Sequence, residues 1–263
     1  MFDSGAALTL RAVTEPLRIL IFGQSNTRGV QLAAGEVTWT DLVAAALPEV
    51  LGRPVEITVR PFFAHAPGSE EYLARELDKR QPDVAFLMVT TFSFATVVIE
   101  PGVRGRFGER AGNAYQFVAS RFDGWTRARG RAGSAINTSA RAVALRFLPA
   151  APVTNYETAL EGTQAALKLL ARQEHVQTVA MHGFVKLPRR HRGRPSRKEE
   201  VVERFLAAVG AQAAELRVPF INLQHEEIPE SWYLPDGLHV SAEAHRGIAA
   251  AVLAAFRDGR IRV

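Results

Sequence analysis

Two short stretches near opposite ends of the chain hold the residue types of nucleophilic catalysis. Ser25 lies in Gly23-Gln24-Ser25-Asn26, directly after the apolar run Leu17–Phe22. Asp236 and His239 lie in Asp236-Gly237-Leu238-His239, just before the last helical pattern. A serine hydroxyl is a weak nucleophile until a neighbouring base takes its proton. The base is usually a histidine held in one tautomer by a carboxylate. A turn at Gly237 can fold Asp236 back onto Nδ1 of His239, which leaves Nε2 for Ser25. Each motif alone is weak, because a serine after a strand is often only a helix cap. Their joint placement carries the reading of Ser25 as nucleophile, His239 as base and Asp236 as its orienting partner.

Such groups need a scaffold that brings distant stretches to one edge. Leu17–Phe22, Pro54–Phe62, Val84–Val89, Val176–Met181 and Val218–Leu223 read as strands, some alternating and some unbroken apolar runs. Helical patterns separate them. Thr40 is a candidate cap for a helix through Leu47, followed by patterns over Glu70–Lys79, Asn155–Arg172 and Arg197–Leu216. Ser241 caps the last helix. Strands alternating with helices imply a three-layer α/β/α sandwich around a five-stranded parallel sheet, flavodoxin-like in type. Residues 99–150 show no clear strand. They read as an insertion of one or two helices within a single domain spanning 1–263, with Phe107, Tyr115, Phe117 and Trp125 as its small core.

In open parallel sheets, ligands bind at the carboxyl ends of the strands. That edge here collects Ser25 and Asn26 after strand one and His65 and Gly68 after strand two. Thr90, Thr91, Phe92 and Ser93 follow strand three, His182 ends strand four, and Asp236 and His239 lie beyond strand five. Asn26, His65, Thr90, Thr91, Ser93 and His182 are therefore candidate substrate contacts. For His65 and His182 a hydrogen-bonded core histidine is the competing reading. His175, His191, His225 and His245 read as surface residues.

Composition narrows the chemistry. The 263 residues contain no cysteine, which excludes disulfides, thiolate nucleophiles and cysteine metal sites. His65, His182 and His239 form no HxxxH or HxH pair, so no metal is expected. Neither a P-loop nor a GxGxxG turn follows a strand, so no cofactor is expected. The net charge is +5. Residues 101–150 hold nine arginines against Glu109 and Asp123, and 186–198 hold seven Lys and Arg with no acid. These stretches read as solvated surface that can attract anionic partners. No nucleic-acid reading motif accompanies them, so nucleic acid is not the expected partner. No apolar run is long enough to span a membrane. The first residues, MFDSGAALTLRAVTEP, lack a basic and then apolar leader, and the expected location is cytoplasmic.

Taken together, the blocks resemble the SGNH (GDSL-type) hydrolase family. The resemblance rests on FGQSNTRG after strand one, Thr38-Trp39-Thr40-Asp41-Leu42 beyond it, Pro82-Asp83-Val84 opening strand three, and Asp236-Gly237-Leu238-His239 before the last helix. It spans most of residues 17–256 outside the insertion. It implies a serine esterase acting through an acyl-enzyme on Ser25, with the amides of Ser25 and Gly68 as oxyanion donors and Ala66 as the alternative to Gly68. The family's strand-three block normally supplies an asparagine donor, and Phe92 stands there instead. Losing one such donor costs about 2.7–4 kcal/mol of transition-state stabilisation. Thr90, Thr91, Ser93 or Asn26 could substitute. The GQSN opening is similar to that of carbohydrate and sialate O-acetylesterases, which implies a small acyl ester, O-acetyl in particular, on a small molecule or glycoconjugate. An acyltransferase using the same triad, or a catalytically degenerate SGNH-like binding domain, are the alternatives.

Overall fold

The computed structural model describes residues 15–127, 129–186, 196–224, 228–234 and 239–263. The chain enters through β1 (Leu17–Gly23), α1 (Trp39–Leu51), β2 (Val55–Pro61), α2 (Ser69–Arg80) and β3 (Val84–Val89). A short helix α3 (Phe92–Ala95) and strand β4 (Val97–Val98) then lead into α4 (Ile99–Phe107), α5 (Glu109–Arg127) and α6 (Gly130–Phe147). Strand β5 (Ala151–Pro152) closes that excursion. The sheet resumes with α7 (Tyr156–Ala171), β6 (Gln177–His182), α8 (Arg197–Glu215), β7 (Phe220–Asn222) and α9 (Ala242–Arg257).

The five main strands pair in the order β2-β1-β3-β6-β7, every pair parallel. This is the expected five-stranded parallel sheet. Alternation of side chains along each strand sorts the core into two layers. Leu17, Ile19, Ile21, Val84, Phe86, Val179 and Met181 face α1 and α9, meeting Trp39, Val43, Leu47, Ile248 and Val252. Leu20, Phe22, Ala85, Leu87, Val89 and Ala180 face α2, α7 and α8, meeting Leu73, Leu167, Leu170, Val202 and Phe205. Both faces are covered, which is why β1 and β3 read as nearly unbroken apolar runs. Burying each large side chain contributes roughly 1.5–3 kcal/mol.

Helix starts follow side-chain caps. The oxygen of Asn155 accepts from the Thr158 amide and that of Ser241 from the Ala244 amide. The first helix corrects the sequence reading. Its cap is Thr38, not Thr40: Thr38 Oγ1 accepts from the Asp41 amide, and the Asp41 carboxylate accepts from the Thr38 amide, a reciprocal capping box. Thr40 lies buried inside the first turn, its hydroxyl 2.7 Å from that of Thr38.

The excursion after β3 holds three helices, α4 to α6, where one or two were expected. Antiparallel pairing of β4 with β5 closes its base. The expected aromatic core does not form there. Phe107, Phe117 and Trp125 are exposed, and Tyr115 is only partly covered.

Candidate active site

The turn after β1 presents Ser25. Its carbonyl accepts from the amides of Arg28 and Val30 at 3.1 and 3.0 Å, winding the chain tightly. A Cβ on Gly23 would stand 2.3 Å from Oγ1 of the buried Thr27, so this turn needs glycine at its start. The turn is fastened to the end of β2, where the Phe62 amide donates to the Gly23 carbonyl at 3.1 Å.

His239 is fixed from the other end of the chain. The Leu234 amide donates to the His239 carbonyl at 2.8 Å, Tyr233 bridges Val240, and the Ser241 amide donates to the Trp232 carbonyl at 2.8 Å. Ser241 then caps α9. The Val240 amide donates to Oδ1 of Asn26 at 3.3 Å, joining two turns 214 residues apart in sequence. Asn26 thus ties the Ser25 turn to the His239 segment. Asp236 lies outside the described residues.

Ser25 and His239 line one cavity of about 330 Å³ at the carboxyl edge of the sheet. Asn26, Thr90, Thr91 and His182 share its wall, as the edge rule anticipates. So does Phe92, the residue standing where the resemblance calls for an asparagine donor. Gly68, His65 and Ser93 are not on this wall. Gly68, at φ +72°, precedes the first residue of α2 and is exposed. The Ala66 amide, the alternative donor, bonds the Phe63 carbonyl at 3.0 Å. His65 packs edge-on against Phe63, and partial burial lowers its pKa. Ser93 is buried, and among the described residues its hydroxyl has no hydrogen-bond partner.

Sequence reasoning missed the apolar walls: Trp39, Phe63, Met88, Phe184 and Ile248. Trp39 carried a signal, since it opens the helix that follows the Ser25 turn. Phe63, Met88 and Phe184 sit at or beyond strand ends, where pattern says nothing about which way a side chain points, and Ile248 lies within α9, where helical spacing gives burial but not the cavity. It also misplaced His245, read as a surface residue. His245 is buried on α9, and its Nδ1 accepts from the Trp39 amide at 3.0 Å. Burial pushes its pKa down to about 4, against weaker opposing attraction from Asp41 and Glu36. An acceptor nitrogen in a buried ring suits the neutral form.

His182 ends β6 with 2% of its surface exposed. Burial pushes its pKa down to about 4, partly offset by a hydrogen bond with the Asn222 side chain. Its Nδ1 is buried, and among the described residues it has no hydrogen-bond partner. The residue lines the cavity as a buried imidazole that favours the neutral form. Among the described residues, no group of three His, Asp or Glu is placed to hold a metal ion. No helix of these residues is long and apolar enough to cross a membrane.

Neither a protein-family profile nor a curated protein sequence matches the chain. Solved structures do match. One is TesA, at 13% identity and a TM-score of 0.54, over 92% of this chain and 98% of that one. A second is the acetyl-xylooligosaccharide esterase Axe2 from Geobacillus, at 12% identity and a TM-score of 0.52, over 92% and 94%. A GDSL-like lipase from Bacteroides thetaiotaomicron matches at 12% identity and a TM-score of 0.50, over 96% of each chain. Identities this low speak to architecture alone, and the architecture is that of the GDSL/SGNH hydrolases.

Proposed function

We propose that this protein is a carboxylic ester hydrolase whose nucleophile is Ser25. The observation that carries the proposal is the shared cavity: Ser25 and His239 line one wall, and the Asn26–Val240 hydrogen bond binds their segments together. In this reading Oγ of Ser25 attacks the ester carbonyl carbon while His239 accepts its proton. The C–O bond to the leaving alcohol then breaks, and His239 returns the proton to that oxygen. Water, deprotonated by His239, attacks the acyl-enzyme; the acyl C–Oγ bond breaks, His239 returns the proton to Oγ of Ser25, and the acid leaves. Asp236 orients His239 and stabilises the imidazolium. The Ser25 amide is one oxyanion donor. Thr90 and Thr91, on the wall where the asparagine is lacking, supply hydroxyls that can serve as others.

The cavity lies at the small end of the range for ligand sites, and aromatic and aliphatic side chains form much of its wall. That favours a short acyl group. The fold shared with an acetyl-xylooligosaccharide esterase agrees with an O-acetyl ester on a sugar. His182, on the same wall, is assigned to contact the alcohol half. The test is a series of p-nitrophenyl esters from acetate to octanoate, with acetylated sugars alongside. Acetate should give the highest kcat/KM, and Ser25→Ala should remove the activity. Unchanged hydrolysis by Ser25→Ala would refute the assignment.

A second reading has one observation in its favour. Phe92 fills the wall where a polar donor would stabilise the oxyanion. A degenerate, ligand-binding site would retain ligand affinity but show no turnover in that series, in wild type as in variant.

A further inference from the structure

The helical hairpin α5–α6 displays apolar side chains to solvent in a pattern that regular folding elsewhere in the molecule avoids. On α6, Ile136, Ala140, Val143 and Phe147 follow helical spacing along one face. All are exposed, with Val143 at 56% and Phe147 at 81%. On α5, Phe117 and Trp125 lie two turns apart with Arg121 between them. Phe117 is 61% exposed and Trp125 47%. A single exposed apolar residue needs no explanation, but a run at helical spacing is an unfilled interface.

The charge beside these residues names what covers them. Arg121 lies over the Phe117 ring at 5.3 Å and Arg129 over Trp125 at 3.7 Å. Arg146 precedes Phe147 and is exposed. None of these three arginines takes part in an ion pair among the described residues. The insertion's carboxylates lie elsewhere: Glu100 and Glu109 pair with Arg104, and Asp123 accepts from Asn137. The exposed surface of the hairpin is thus cationic and apolar at once, with its carboxylates engaged elsewhere. A second copy of the chain would set arginine against arginine. Nucleic acid would satisfy the arginines and leave the apolar stripe wet.

We propose that the exposed surface of the α5–α6 hairpin docks on an anionic lipid bilayer. Phe117, Trp125, Val143 and Phe147 enter the headgroup–acyl boundary, and Arg121, Arg129 and Arg146 meet lipid phosphates. The mode is peripheral. The hairpin is also joined to the cavity edge: α3 begins at Phe92 on the cavity wall, and the Ser93 carbonyl accepts from the Thr154 amide beyond β5 at 3.1 Å. Docking therefore anchors the sheet edge that carries Ser25.

The experiment is cosedimentation of the full chain with vesicles of phosphatidylcholine alone or mixed with phosphatidylglycerol, at about 0.1 M and 0.5 M salt. The expected result is binding to the anionic vesicles at least tenfold stronger than to the neutral ones, weakened by salt. The double variant Trp125→Ser with Phe147→Ser should lose about tenfold with an unchanged melting curve. Arg121→Gln with Arg129→Gln should lose a similar factor. Ser25→Ala should bind like wild type, so failure of the esterase reading leaves this result standing. Equal or absent partitioning on both vesicles overturns the proposal. So does anionic binding that ignores the Ser substitutions, which indicates a purely charged patch for an acidic protein. A concentration-dependent dimer abolished by Phe147→Ser also overturns it, in favour of a second copy.

Discussion

Phe86 on β3 is 1% exposed, and Phe147 at the end of α6 is 81% exposed. Both are phenylalanines in regular elements. Around Phe86 the sheet and two helical layers leave no apolar strand face uncovered. Around Phe147 a helix turns its apolar stripe outward, and its main neighbour is the other arm of the same hairpin. The sheet buries apolar area on both faces and so fixes the cavity edge in place, whereas the insertion leaves apolar area exposed. Apolar patterning predicts a regular element in both places, a strand at Phe86 and a helix at Phe147, but it predicts burial only where a second layer exists to receive it.

The comparison can be tested by its consequences, beginning with the largest. If the sheet edge is the catalytic part, Ser25→Ala and His239→Ala should each lower kcat/KM about 10⁴-fold or more while leaving the melting curve in place. The same assay on Phe147→Ser, with a water-soluble ester, should match wild type. A drop in that variant would merge the two regions functionally. In stability, Phe86→Ala should cost about 3–5 kcal/mol in urea unfolding, from lost transfer energy and the cavity left behind. Phe147→Ala should stay within about 0.5 kcal/mol. Similar costs at the two positions would show that α6 is covered.

Acid sharpens the contrast, because the buried histidines belong to the core. His182 and His245 have folded pKa values lowered to about 4 from 6.5. Between those limits the unfolded chain binds the protons and the folded chain does not, so stability falls as pH falls from about 6.5 to 4. Each histidine accounts for on the order of 3 kcal/mol at most across that window. Urea unfolding at several pH values should show the slope, and His182→Gln should flatten it. Thr38→Ala should cost about 1 kcal/mol, the usual worth of an N-cap.

Much of this was legible in the residues. The strands and their parallel arrangement followed from apolar runs bounded by turns, and the edge rule brought Ser25, Asn26, Thr90, Thr91, His182 and His239 to one side before any coordinates. Their meeting in one cavity agrees with that placement. The misses have specific physical causes. Thr38 and Thr40 are both capping types, and only the reciprocal bond to Asp41 separates them. His245 sits among alanines in a helix, and nothing local says that the Trp39 amide needs an acceptor there. Loops decide the cavity wall, so Gly68 stands off it while Phe63 and Phe184 close it. In the insertion, pattern gave helices without saying that their aromatic residues face solvent.

The most direct test of the central assignment is intact mass after reaction with a fluorophosphonate, on wild type, Ser25→Ala and His239→Ala. The account predicts one adduct on wild type, none on Ser25→Ala, and strongly slowed labelling of His239→Ala. An unlabelled but folded wild type, or a Ser25→Ala chain that still takes the label, would contradict it.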